Sequence, residues 1–212
     1  MRSADIITLF RGFLVFPIIY LILIKFNPLI TILLIIFMFA LDGIDGFAAI
    51  KDSKAKITFK DYIYASLGNK VLKEKIKKLK LNISKTNKYG ARLDIASDRT
   101  IEYVFWILFT YLNIIPLFII FIVVIRNSFV DALMAAKGTS SKMKSKIAKA
   151  FYSSNLSRST STLLKVFAFS YLALVYIANY PLFYGQIIVA LLIIFIIIRG
   201  IAEIYEGIIN IE

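Results

Sequence analysis

The stretch PLITILLIIFMFALDGIDGFAAI, residues Pro28 to Ile50, decides the fold. Up to Leu41 it is almost wholly apolar, and two carboxylates, Asp42 and Asp45, then arrive within the ~20 residues that a helix needs to cross the hydrocarbon of a bilayer. Across the 212 residues, 59% are hydrophobic and only 18% are charged, a balance that excludes an ordinary soluble domain and indicates an integral membrane protein. The N-terminal run ITLFRGFLVFPIIYLILIKF, Ile7 to Phe26, is longer than the apolar part of a signal peptide and has no small-residue cleavage site after it. It reads as a first span.

Six stretches are long and apolar enough to cross: roughly 6–26, 28–50, 92–113, 115–136, 160–179 and 181–203. The expected fold is therefore all-α, an integral membrane bundle of six transmembrane helices forming a single domain over residues 1–212. Three connections are very short, around Lys25 to Asn27, Asn113 to Pro116 and Asn179 to Pro181. The other two are long and basic. Residues 51–92 hold twelve Lys and one Arg against two Asp and one Glu, and residues 137–158 hold five Lys and Arg158 without an acid. Because basic and nearly uncharged connections alternate, the excess of positive charge on the cytoplasmic side places both termini and both basic loops in the cytoplasm. Topology thus accounts for most of the net charge of +13. Attraction to anionic lipid or phosphorylated substrates adds to it. Nucleic acid is excluded as a partner, since basic and aromatic residues do not interleave outside the spans. Within the first basic loop, YIYASLGNKVLKEKIKKLKL carries Val71, Leu72, Ile76 and Leu79 at helical spacing opposite a lysine face, the pattern of a short amphipathic helix on the membrane surface.

The chain has no Cys and no His, which removes disulfides, thiolate nucleophiles, the usual zinc sites and imidazole bases together. Chemistry is left to carboxylates, Lys, Arg, Tyr and bound metal. Asp94 and Asp98 open the third span, in KYGARLDIASDRTIEYVFW. Separations of three (Asp42, Asp45) and four (Asp94, Asp98) put each pair on one helix face. Both pairs lie at the cytoplasmic end of their span, so neighbouring helices would bring the four acids together. A carboxylate at membrane depth costs on the order of 2.5–3.5 kcal/mol, less near the interface, and four of them repel. A cation must sit among them. Arg92 and Arg99 are near enough in sequence to form plain salt bridges. The better candidate is a pair of divalent metals, because an all-oxygen ligand set suits Mg²⁺ or Mn²⁺. Two-metal sites clamp the attacking and leaving oxygens of a phosphoryl displacement. Gly46 and Gly90 add bare patches beside the acids, where a ligand can approach the backbone or another helix can pack.

DGIDGFAA, Asp42 to Ala49, followed by GARLDIASD, Gly90 to Asp98, resembles the signature of the CDP-alcohol phosphatidyltransferase family, D-x-x-D-G-x-x-A-R and then G-x-x-x-D-x-x-x-D. More loosely, ADIITLFRGFLVFPIIYLIL and RNSFVDALMAAKGTSSK are similar to the branch that makes phosphatidylglycerolphosphate or archaetidylglycerolphosphate. The resemblance implies a six-helix, multi-pass protein of the cell membrane with its active site facing the cytoplasm, and a possible homodimer. It implies transfer of a phosphatidyl-type group, diacylglycerol or archaeol phosphate, from a CDP-linked lipid to an alcohol such as glycerol phosphate, with release of CMP. It assigns Asp42, Asp45, Asp94 and Asp98 to two Mg²⁺ or Mn²⁺ ions, Asp98 also to the general base, and Gly46, Ala49 and Gly90 to the cytidine nucleotide. Two departures stand out. The signature arginine is Ile50 here, followed by Lys51, so a cationic contact to the nucleotide is supplied either by Lys51 or by nothing. The second departure is an insertion, because 40 residues separate Ala49 from Gly90 where the family has about nine, a difference a loop absorbs cheaply.

A phosphorylated acceptor needs cations of its own. Arg126, Lys142 and Arg158 lie at cytoplasmic ends of later spans. Arg126 is the strongest of them, because it interrupts IIFIVVIRNSFVDAL within a span and must find a partner. Inositol phosphate or serine are alternative acceptors. A cation or proton transporter using the acid cluster is the alternative from another class, disfavoured by the position of the acids at one membrane face. A member of the family that has lost catalysis is a third, disfavoured by the retention of all four acids.

Overall fold

A computed structural model describes residues 2–52, 57–66, 71–72, 74–76, 79, 88–135 and 155–209. Helix dominates throughout, with no strand among the described residues. The named helices are α1 (Ser3–Leu23), α2 (Pro28–Asp52), α3 (Phe59–Ser66), α4 (Lys88–Tyr111), α5 (Phe118–Ala135), α6 (Asn155–Ala178) and α7 (Leu182–Ile209). Four of them contain a stretch long and apolar enough to cross a membrane: α1, α2, Ser159–Ala178 of α6 and Leu182–Tyr205 of α7. The other two expected spans correspond to α4 and α5. Arg92, Asp94, Asp98 and Arg99 crowd the first half of α4 with Glu102 just beyond it, and Arg126 and Asp131 interrupt α5.

The exposure pattern supports a lipid environment. Phe13 is 66% exposed, Phe167 65%, Phe183 65% and Ile194 55%, a density of large bare apolar side chains that water would not tolerate. Helices in lipid gain little from burying apolar surface against one another, so close packing and polar contacts must hold them. The small-residue contacts fit that rule. A Cβ added at Gly185 of α7 would lie 3.3 Å from both Leu172 and Tyr171 of α6, and α7 packs on both α5 and α6.

All three expected short connections turn in the same way. Lys25, Asn113 and Asn179 have φ of 51°, 56° and 54°, the left-handed conformation that ends a helix and reverses the chain. At the start of α2 the side-chain oxygen of Asn27 accepts from the Leu29 and Ile30 amides at 3.0 and 3.3 Å, ahead of Pro28 at the first helical position.

The chain divides into two compact units, one of Met1–Leu23 with Leu33–Val104 and one of Ile24–Ile32 with Phe105–Glu212. The second unit is centred on Phe105, Trp106 and Phe109 of α4 and Phe169 of α6. Phe105 stacks on Phe169 at 4.7 Å between centroids, and Trp106 meets Phe169 edge-on at 5.1 Å. All four rings are fully buried.

In the first unit the basic insertion folds back on the end of α2. The Thr58 hydroxyl and amide donate to Asp61 at 2.7 and 3.0 Å, and the Asp61 amide donates to the Thr58 hydroxyl at 3.2 Å, a reciprocal cap that starts α3. These bonds from Thr58 hold the Asp61 carboxyl below its ordinary range. The cap therefore contributes above the ordinary carboxylate pKa and is lost as pH falls through the lowered one. Phe47 of α2 contacts Phe59 edge-on at 5.1 Å and Tyr62 at 5.7 Å. Ile50, Ala65 and Ile76 form a buried cluster, with Ile57, Tyr62, Leu72 and Leu79 packed around it. Residues 71–72 and 74–76 are helical as the spacing predicts. Their apolar face, expected to meet lipid, instead covers Ile50, whereas Val71 is turned outward, 78% exposed.

At Asn113, replacement by Gly should leave thermal stability in detergent unchanged or raised. Replacement by Val should lower it by about 1–2 kcal/mol, the cost of a left-handed conformation for a residue with a crowded Cβ.

Candidate functional site

Three helices of the first unit meet at a polar cluster. The N-terminus of α1 lies beside the C-terminus of α2, where the Asp52 carboxylate accepts from the Ala4 amide at 3.3 Å. One face of α1 then presents Thr8, Arg11 and Gly12, residues three and four apart. Against it stand Asp42 and Asp45 of α2 and Asp94, Ser97 and Asp98 of α4. The expected convergence of the four aspartates is what the structure contains.

Arg11 lies at its centre. Nη1 donates to Asp42 Oδ1, and Nη2 donates to Asp98 Oδ1 at 2.6 Å and to Asp94 Oδ1 at 3.1 Å. The arginine side chain is 2% exposed, whereas those of Asp42, Asp94 and Asp98 are 41%, 47% and 50% exposed. The cation is thus interior and its three partners line the open side. Burying a guanidinium costs several kcal/mol. Three charge-assisted hydrogen bonds at about 1.5–3 kcal/mol each are enough to offset it. Asp45 is the buried member, 7% exposed, and its Oδ2 accepts from the Thr8 hydroxyl at 3.1 Å. The same hydroxyl lies 3.0 Å from the Ala4 carbonyl. Its single proton can serve one acceptor at a time, and the carboxylate is the stronger.

The approach of α1 to α4 is close. The Ser97 hydroxyl donates to the Thr8 carbonyl at 3.1 Å, and a Cβ added at Gly12 would lie 3.1 Å from the same hydroxyl oxygen.

Asp42, Asp45 and Asp94 each offer an oxygen, and these lie within 4.8 Å of one another. Around a small divalent ion with bonds of about 2.1 Å, opposite ligands stand about 4.2 Å apart, so small side-chain rotations close the set on one ion. Charge points the same way. Four ionised aspartates and Arg11 sum to −3, and the residual charge suits further cations. The donor set, hard anionic oxygens alone, therefore fits a divalent metal.

The remaining predicted site residues divide. Gly46, Ala49 and Gly90 are half-buried on α2 and α4, and Gly43, in the same turn as Asp42, has open space where a Cβ would stand. Lys51 is exposed at the end of α2. Arg92 is exposed and Arg99 reaches Glu102 at 3.5 Å, whereas the cation at the centre of the aspartates is Arg11. Arg126 finds its partner in the second unit. Its Nη2 donates to Glu203 Oε2 at 2.6 Å and its Nη1 to Asn127 at 2.9 Å, while Arg199 holds the other Glu203 oxygen at 3.0 Å. Glu203 is 1% exposed, so this is a buried network. Gly200 permits it, because a Cβ there would stand 2.7 Å from Arg126 Cγ and Nε. Lys142 lies outside the described residues. Arg158 falls on α6, and its side chain is also outside them.

Thr8, Arg11 and Ser97 are the residues that sequence reasoning missed. The signal was present in TLFRG, an ionised residue inside an apolar run.

Gly12→Ala should lower thermal stability by about 1 kcal/mol through the crowded Ser97 hydroxyl. In a Ser97→Ala background the neighbour recedes to the Ser97 Cβ position, 3.7 Å away. The double variant should then be more stable than the sum of the single changes, as read from thermal unfolding in detergent. Comparison with models of known families, with characterised proteins and with solved structures returned no match for this chain, and its function is argued from this cluster.

Proposed function

We propose that the protein is a membrane transferase that moves a phosphatidyl-type group from a CDP-linked lipid to an alcohol, releasing CMP, as the resemblance of Asp42–Ala49 and Gly90–Asp98 to the CDP-alcohol phosphatidyltransferase signature implies. The observation that carries the reading is the meeting of Asp42, Asp45, Asp94 and Asp98 around one face of α1, within one compact unit. In this reading α4 and α5 complete a six-span bundle, and the acid cluster faces the cytoplasm of a cell membrane.

Asp42, Asp45 and Asp94 would hold the divalent ions, Mg²⁺ or Mn²⁺. When bound, these ions neutralise the diphosphate of the donor and the leaving CMP. Asp98 is the base. Its side chain is half exposed, so an acceptor hydroxyl can reach it from the open side while Arg11 fixes one oxygen. The hydroxyl proton passes to Asp98, the acceptor oxygen bonds to the lipid-bearing phosphorus, and the bond from that phosphorus to the oxygen of CMP breaks. Gly46, Ala49 and Gly90 border the nucleotide, with Lys51 as the cation nearest the missing signature arginine. Glycerol phosphate is the favoured acceptor. The buried pairing of Arg126 with Glu203 means that an acceptor phosphate at Arg126 would have to share it with a carboxylate.

The reading is tested with purified protein, a CDP-linked lipid and a panel of alcohols that includes glycerol phosphate, inositol phosphate and serine. CMP release should require Mg²⁺ or Mn²⁺ and stop with chelator. Asp98→Asn should lower kcat by about 10²–10⁴-fold, the usual worth of a positioned base. Wild-type turnover in Asp98→Asn removes that residue as the base, and turnover in chelator removes the metals.

A further inference from the structure

The cation at the centre of the site is part of the chain, and its hydrogen bonds fall on the carboxylates that a metal would use. Of the three aspartates whose oxygens approach within 4.8 Å, Asp42 and Asp94 accept from Arg11. Asp98, the fourth acid, accepts from it as well. We propose that Arg11 is a built-in competitor of the divalent cation, so that binding of the metal requires the guanidinium to surrender carboxylate oxygens. This inference rests on the metal site of the proposed function.

Two features give the competition its form. The first is direction. The Arg11 side chain is 2% exposed and its three partners are 41–50% exposed, so the carboxylates stand between an interior cation and the open side from which an ion arrives. The guanidinium and the metal draw on the same anions from opposite sides and repel each other. The second is attachment. Arg11 Nε is buried without a hydrogen-bond partner among the described residues, so the acids hold the guanidinium through its two terminal nitrogens. A fork held at its tips can swing when its acceptors are drawn away, and the aspartates can turn toward an ion without crossing the helix packing.

A supporting role for Arg11 predicts the opposite sign. If the arginine served to gather the carboxylates for the metal, its removal would let them splay and would weaken metal binding.

The test uses the full chain in detergent, with Mn²⁺ alone as the probe, titrated by electron paramagnetic resonance of the free ion, and thermal unfolding as the second measurement. Arg11→Met should bind Mn²⁺ about tenfold tighter than wild type, a change of about 1.4 kcal/mol. It should also melt lower than wild type in chelator and gain more from added Mn²⁺. Arg11→Lys keeps the charge and loses the fork, and its affinity should fall between the two. It decides the question if Arg11→Met does not fold. Mn²⁺ affinity in the variants equal to or weaker than in wild type overturns the competition while leaving the metal site standing. No Mn²⁺ binding by any form, wild type included, overturns the metal reading and this inference with it.

Discussion

A guanidinium with 2% of its side chain exposed, in a helix apolar enough to cross a membrane, is costly to bury there unless anions come to it. Three aspartates do, from two other helices. The dependence is mutual, because carboxylates crowded on neighbouring helices repel and need a cation between them. From that exchange follows the local design of the first unit. Gly12 sits one residue beyond Arg11 and lets α4 come near, Ser97 ties α4 to the Thr8 carbonyl, and Thr8 serves the one aspartate that Arg11 does not hold through a hydrogen bond. Since apolar burial between helices contributes little in lipid, these polar contacts carry an unusual share of the specificity.

The second unit solves a similar problem with the signs reversed. Glu203 is the buried ion, and two arginines, one on α5 and one on its own helix, close on it. Arg126 was expected to need a partner, and it has one. The partner is a carboxylate 77 positions away, and nothing in the local sequence names it. What periodicity supplied was the need for a counter-charge. What it could not supply was the identity of the helix that meets it, because that depends on which faces pack.

The same limit separates the legible part of the acid site from the rest. Spacings of three and four placed each aspartate pair on one face, and the turn residues Lys25, Asn113 and Asn179 marked helix ends that the structure places at left-handed residues. Arg11 escaped notice although it interrupts its span as plainly as Arg126 does. A long arginine side chain inside an apolar run can extend along its helix toward an interface or turn inward to a partner, and the sequence does not distinguish the two. Its three acceptors lie 31, 83 and 87 positions away. For the insertion, helical spacing of Leu72, Ile76 and Leu79 was readable, but an apolar stripe does not say whether lipid or protein covers it.

That covering joins the two departures from the proposed family into one. Where the signature has an arginine, this chain has Ile50, fully buried beneath Ala65 and Ile76. An arginine at that position would be sealed under the insertion with its charge among Ile57, Leu72 and Leu79. An insertion that docks on the last turn of α2 therefore demands an apolar residue at its seat, and a branched one such as Ile50 fills it. Lys51, one position on, stays exposed and keeps a positive charge at the same helix end. Phe47 extends the contact toward Asp45 through Phe59 and Tyr62, so the insertion also braces the turn of α2 that carries the buried carboxylate. In the proposed reading, the longer loop and the absence of the signature arginine belong together, because a packed apolar cover on the end of α2 stands where the signature would place a cation.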